Sequence, residues 1–303
     1  MFDEPLLLND HAKVESTYAA SLEYLKVHPD LYRKIASYLW AYHEIGGLVP
    51  QTIEKFWSGH YFPYSESYSE LENSYELALH GFYNYGFAAL RSVLELGLLG
   101  VHFAVRDTEH IDVQPWITSQ EQTPRRKEIF GRLRELETFR EFDSRFKLEA
   151  RILKTFDRLD RFVHTRGFRY SSRALRLSNV NQFSAKSLQL YFGSMFKVTT
   201  DLMVVMLLKY PIGMQSLPLD EKFGLNGPVG GYLQQHQVER ITPLIPPEES
   251  DFLQKISDND PEVRAAVEYF NNLPDLTQEE WQQQIKEFDD FTQTKTNTNQ
   301  DVK

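Results

Sequence analysis

Apolar residues recur along most of this chain at helical spacing, and no segment shows the strict alternation of a half-buried strand. The longest run covers 68–105, where Leu71, Tyr75, Ala78, Leu79, Phe82, Tyr85, Ala89, Val93, Leu96, Leu99 and Phe103 follow a 3.6-residue period. Past Gly81 the run is apolar nearly all round, the pattern of a helix buried at the centre of a bundle. This predicts one long helix, with Gly81 and Gly86 as the places where it could break. Gly81, Gly86, Gly97 and Gly100 cost about 1 kcal/mol each relative to alanine, which points to close backbone packing in return. A second long helix is expected at 184–210, stopped by Pro211.

Shorter amphipathic helices are expected at 10–26 and 29–46, with Pro29 suited to a first turn and Gly46-Gly47 supplying a stop. Two more are expected at 124–141 and 145–166, the latter closed by Thr165-Arg166-Gly167. Residues 106–124 read as a loop around Pro115-Trp116 and Pro124, and 168–182 as irregular and basic. Phe56, Trp57, Tyr61, Phe62 and Tyr64 crowd the connector after the second helix, either sealing the core or forming a stacking platform for bases. From Pro211 onward Pro and Gly recur, which predicts an extended segment with short helices at 248–257, 261–272 and 277–290 and disorder from Thr292. The fold class is therefore all-α: a helical bundle with long central helices and an extended Pro/Gly-rich C-terminal arm. Its expected divisions are 1–66 (helices and aromatic connector), 67–210 (bundle) and 211–303 (acidic arm).

The hydrophobic share of 41% supports a sizeable core and excludes global disorder. The absence of cysteine excludes disulfides and thiolate chemistry and fits a reducing, cytoplasmic setting. The N-terminus, MFDEPLLLND, lacks a basic n-region and a small-residue cleavage site, so no secretory signal is expected. Arg91 and Glu95 interrupt the apolar stretch 83–105, and 202–208 is too short to span, so no membrane role is expected.

Charge changes the picture more than composition does. The net charge is −10, yet 125–176 carries 16 Lys/Arg against 8 Asp/Glu, while 248–303 carries 14 acidic and 5 basic residues. A basic segment of that density suits a phosphate-rich partner such as RNA, with Arg125, Arg126, Lys127, Arg166 and Arg169 as candidate nucleic-acid contacts. The alternative is a set of solvated, ion-paired helix faces. The acidic arm could clasp another chain or cover the basic region as an internal mimic of RNA.

Several chemistries leave no trace. There is no phosphate loop ending in Lys-Ser/Thr, no G-x-S-x-G and no His-Glu-x-x-His, and GPVGG at 227–231 does not link a strand to a helix. The histidines show no metal-ligand spacing, so no metal and no cofactor is expected. Two constellations remain. Arg91 and Glu95 stand four apart on one face of the apolar helix, as a structural ion pair or as half of a buried polar site. In KTFDRLDRFVHTRG, Asp157, Arg161 and His164 share a face, and Asp160 lies four before His164. Arg158 lies six before His164 but about 240° around the helix, so the two converge only through a bend or a second subunit. Histidine beside carboxylates and arginines suits acid–base work, and arginine suits a phosphate clamp; a capping histidine with surface ion pairs is the structural alternative.

At these residues the chain resembles the HEPN superfamily of all-helical prokaryotic proteins. The resemblance covers 68–210: an apolar helix reading ALRSVLELGLLGVHF, a Trp-containing loop, a charged stretch, then a helix ending DRLDRFVHTRG. HEPN ribonucleases carry Arg, four to six residues, then His, and Arg158 and His164 fit with five between. Leu159 departs from the polar residue that usually follows the Arg. The resemblance implies a homodimer that binds RNA or cleaves it without metal, of the toxin or antiviral-defence kind. His164 would be the acid–base, and Arg158 with Arg161 the phosphate clamp. The competing expectation is a non-catalytic helical interaction protein, a scaffold or regulator, that holds a partner through its C-terminal arm.

Overall fold

The computed structural model describes residues 11–50, 59–106, 110–176, 181–227 and 230–298. Phe56 and Trp57 of the aromatic connector lie outside them. Helices α1 (His11–Lys26) and α2 (Pro29–Ile45) form where the amphipathic pattern and Pro29 predict them. The 68–105 run, expected as one helix, is two: α3 (Tyr61–Leu79) and α4 (Tyr83–Ala104). The cause is Gly81, which adopts φ +78°, a left-handed conformation that ends helices and favours glycine. The Phe82 N–H donates to the Leu77 carbonyl at 2.8 Å across this turn. Gly86, the other candidate break, lies inside α4. There it lets α3 approach: Ser74 Oγ donates to the Gly86 carbonyl at 2.8 Å, and a Cβ at Gly86 would stand 3.2 Å from the Ser74 carbonyl oxygen.

The expected loop at 106–124 contains one short helix, α5 (Gln114–Ile117). The charged region divides into α6 (Arg126–Leu133), α7 (Glu137–Phe146) and α8 (Leu148–Val163), with Lys147 in a left-handed conformation between the last two. The basic stretch after α8 holds a 3-10 turn at Phe168–Tyr170 and α9 (Ser172–Arg176), and α10 (Ala185–Lys209) follows. Ser184 caps α10, its hydroxyl oxygen accepting from the Ser187 N–H. Beyond Pro211 come α11 (Leu219–Phe223), α12 (Gln235–Ile241), α13 (Pro247–Asn259), α14 (Pro261–Asn272) and α15 (Gln278–Thr298). Proline opens α13 and α14 at the first helical turn, where its missing N–H costs nothing. Disorder was expected from Thr292, but α15 continues to Thr298; the rest of that stretch, 299–303, lies outside the described residues.

The protein is all-α: among the described residues there is no strand, only one isolated bridge between Leu217 and Gln234. Helix α4 is the centre, packed against α3, α8 and α10. Its apolar residues and those of α10 join one core that runs from Leu25 to Ile256, so segments beyond Pro211 contribute to it through Met214, Leu233, Ile241, Ile245, Leu253 and Ile256. A small separate cluster gathers Leu217, Leu219 and Phe270. Buried hydroxyls tie the bundle together. Tyr42 and Ser67 hydroxyls meet at 2.6 Å, Ser67 donates to the Val93 carbonyl at 2.8 Å, and Ser74 meets the Tyr191 hydroxyl at 2.8 Å. Each satisfies a polar group that would otherwise cost a few kcal/mol to bury. Both α4 and α10 are long and apolar enough to cross a membrane by length and composition alone, and most of each is buried inside this fold.

Candidate functional site

Helix α8 carries Asp157, Arg158, Asp160 and Arg161 of the residues singled out from the sequence, and its geometry sorts them. Asp160 faces α4 and α6. Its carboxylate accepts from Arg91 Nε at 3.0 Å and from Arg126 at 2.7 Å. Arg91 also donates to Glu95 at 2.8 Å, so the pair read from the sequence is part of a four-residue network. The Arg126 guanidinium lies 4.2 Å from the centre of the Phe156 ring. Burial would raise the Asp160 carboxyl, but the hydrogen bonds and charges of Arg126 and Arg91 hold it below the usual carboxylate value. Arg126, expected to contact nucleic acid, is thus engaged in an ion pair within the chain. Arg125 is the N-cap of α6 and Lys127 lies in its first turn; both residues are exposed.

On the other side of α8, Lys154, Arg158 and Arg161 stand at i, i+4 and i+7, a row of cations along one face. Helix α10 supplies a facing row at the same spacing, Leu190, Ser194 and Lys197, and the 3-10 turn adds Arg169 and Tyr170. Together they line a cleft of about 470 Å³. Its floor includes the buried Thr155, Leu159 and Phe162. Five cationic side chains surround this cleft and a single carboxylate, Asp157, lines it.

Asp157 serves one side only. Arg161 donates to it at 2.5 Å and to the Tyr170 hydroxyl at 3.2 Å, and Arg166 stands 3.6 Å from it at the surface. The Arg161 hydrogen bond, with the Arg161 and Arg169 charges, holds the Tyr170 hydroxyl below its usual pKa. The Arg169 guanidinium lies 5.9 Å from the Tyr170 ring centre. Among the described residues Lys154, Arg158, Arg169 and Lys197 form no ion pair with a carboxylate. Uncommitted arginine and lysine at a concave site leave donors aimed at an anion, and arginine matches phosphate oxygens two at a time.

His164 does not join this group. It caps the C-terminus of α8, where its N–H donates to the Asp160 carbonyl at 2.9 Å, and its exposed side chain lies outside the cleft lining. The chain brings Arg158 and Arg161 together and leaves His164 apart, as the 240° offset on a straight helix requires. Lys154, Lys197, Tyr170 and Ser194 are cleft residues that sequence reasoning missed. The i, i+4, i+7 spacing of Lys154, Arg158 and Arg161 was a usable signal. No pattern in the sequence joins Lys197 to them, because the connection is made by packing α10 on α8.

A second buried ionic site was also missed. Arg151 on α8 donates to Asp201 of α10 at 2.7 Å and to both Glu249 oxygens of α13, one of them at 2.9 Å. Burial raises the Asp201 carboxyl to about 6, against the pull of the Arg151 and Lys197 charges. No family model, characterised protein or solved structure matches this chain.

Proposed function

We propose that this chain is a HEPN-like RNA-binding protein that takes RNA phosphates into the cleft between α8 and α10. The observation that carries the reading is the cleft's charge: five cations against one carboxylate, four of the cations without an ion pair among the described residues. A fold of net charge −10 repels a polyanion overall, so a local concentration of positive charge is what would select where it docks. Arg166, 3.6 Å from the cleft residue Asp157, would extend the path, while Arg125 and Lys127 lie toward the Asp160 network on the opposite side of α8.

Binding is better supported than cleavage. Arg158 and His164 diverge on one helix, so a shared reacting phosphate needs a second subunit to bring its own His164 or Arg158 across. Titration of a labelled mixed RNA pool tests the reading. The variant Arg158→Ala/Lys197→Ala should bind more weakly for every sequence, and its salt slope should flatten by roughly 1.4, about 0.7 per lost phosphate contact on single strands. An unchanged slope and affinity would remove the cleft from the account. Incubating the same pool with parent and His164→Ala protein, with and without chelator, tests the cleaving form: parent activity lost in the variant supports it, and an inert parent rejects it.

The interaction-protein reading draws on α15, where Trp281 and Ile285 stay 37% and 42% exposed on one face of an acidic helix. Deleting 278–303 should abolish partner capture in that case and leave RNA affinity unchanged.

A further inference from the structure

The cleft's charge density says more about its ligand than that it is an anion. A cavity of about 470 Å³ falls in the range of single small-molecule sites, and a cube of that volume is about 8 Å on a side. An internal nucleic-acid strand brings one charge per phosphate, at about 3.4 Å of axial rise per nucleotide, so about two charges fit such a span. Five cations and one carboxylate line it. Two diesters would leave half of that excess uncompensated in a partly enclosed site, where like charges repel more strongly than in water.

We propose that the cleft holds a compact polyphosphate group, carried by the 5′ end of an RNA or by a free nucleoside triphosphate, with Lys154, Arg158, Arg161, Arg169 and Lys197 as its ligands. This rests on the RNA-binding reading for the first source and stands without it for the second. A terminal phosphate alone carries about −1.5 to −2 near neutral pH, and each further phosphate, joined through one bridging oxygen, adds another charge. That concentrates on one group the charge the cleft is built to meet. The cations reach the cleft from three elements: Lys154, Arg158 and Arg161 from α8, Lys197 from α10 and Arg169 from the 3-10 turn. Such an arrangement surrounds a chain end, whereas an open groove would track a continuous strand. The apolar floor of Leu159 and Phe162 excludes water beneath the group and strengthens the ion contacts above it.

The experiment is an anisotropy titration of one short RNA sequence in two forms, with a 5′-triphosphate and with a 5′-hydroxyl, at fixed salt and with chelator. Inorganic tripolyphosphate and ATP serve as competitors. The triphosphate form should bind roughly tenfold tighter, a difference of the size that one charge-assisted contact or more supplies. Arg158→Ala/Lys197→Ala should erase that preference, and tripolyphosphate should compete it away. Arg158→Gln, a milder change at an exposed position, keeps the test usable if the double variant fails to fold. Equal affinity for the two ends, weakened alike in the variants, would overturn the polyphosphate assignment and keep RNA binding. Binding of tripolyphosphate and ATP but of neither RNA, lost in the variants, would support the polyphosphate assignment, name the free nucleotide as its source and reject the RNA reading. Binding that the variants do not change, or no binding of any probe, would overturn both.

Discussion

Arg151 and Arg158 stand seven residues apart on one face of α8, two turns along the same helix and both beside α10. Arg151 meets two buried carboxylates, Asp201 and Glu249. Arg158 meets none among the described residues and lines a cleft in which α10 presents Ser194 and Lys197. The same residue type in the same register therefore does two different things. The first arginine fixes α8, α10 and α13 to one another, since a buried charge must be paired to be tolerated. The second keeps its donors free at a concave surface, where water solvates it. What separates them is the partner helix: one turn of α10 turns Asp201 into Lys197.

The difference predicts opposite mutational behaviour. Arg151→Leu strands two buried carboxylates and should cost roughly 3–5 kcal/mol in chemical unfolding. If it costs no more than an exposed substitution, the contrast between the two arginines fails. Asp160→Leu comes next, at about 2–3 kcal/mol, because Arg91 and Arg126 would lose a shared carboxylate but remain partly in contact with water. Glu95→Leu should be milder, since Arg91 retains Asp160. A Glu95→Leu/Asp160→Leu loss equal to the sum of the two single losses would show the two carboxylates to be independent.

Acid titration separates the buried groups by sign. Burial, with the nearby Arg132 charge, lowers His102 to about 4 from its usual 6.5. Its contribution to stability is complete above pH 6.5 and is lost as pH falls through 4. Asp201 is raised to about 6 from 3.8, so its contribution is complete below 3.8 and is lost as pH rises through 6. Between pH 4 and 6 the two oppose, and the parent should change little. Urea midpoints should then diverge: His102→Phe becomes relatively more stable in acid, and Asp201→Asn relatively less. Parallel pH profiles for parent and both variants would contradict these shifts.

How much of this was legible in the sequence depends on the distance over which each contact is made. Helices α1, α2, α10 and α14 follow from periodicity and proline, which are local signals. The Arg91–Glu95 pair was legible because i and i+4 meet on any helix. Asp160 was seen only as a neighbour of His164, and its bonds to Arg91 and Arg126 depend on how three helices pack. The Arg151 site joins residues 50 and 98 positions apart, beyond any local pattern; its one local signal is the lone acidic residue, Asp201, in the apolar run of α10. The sequence offers Gly81 and Gly86 as breaks, and the choice of Gly81 depends on a positive φ that the spacing of apolar residues does not encode. His164 was grouped with Arg158 by motif spacing, and helix geometry places them on different faces.

The smallest expected effect on stability is also the most telling, at Arg158. Arg158→Glu should leave the unfolding free energy within about 0.5 kcal/mol of the parent, as for a surface position. Measured on the same preparation, its affinity for RNA should fall by more than that of Arg158→Ala, because the reversed charge repels the phosphate it formerly drew. Retained affinity in Arg158→Glu, or a loss of several kcal/mol in folding with binding intact, would contradict the claim that this cleft is the binding site.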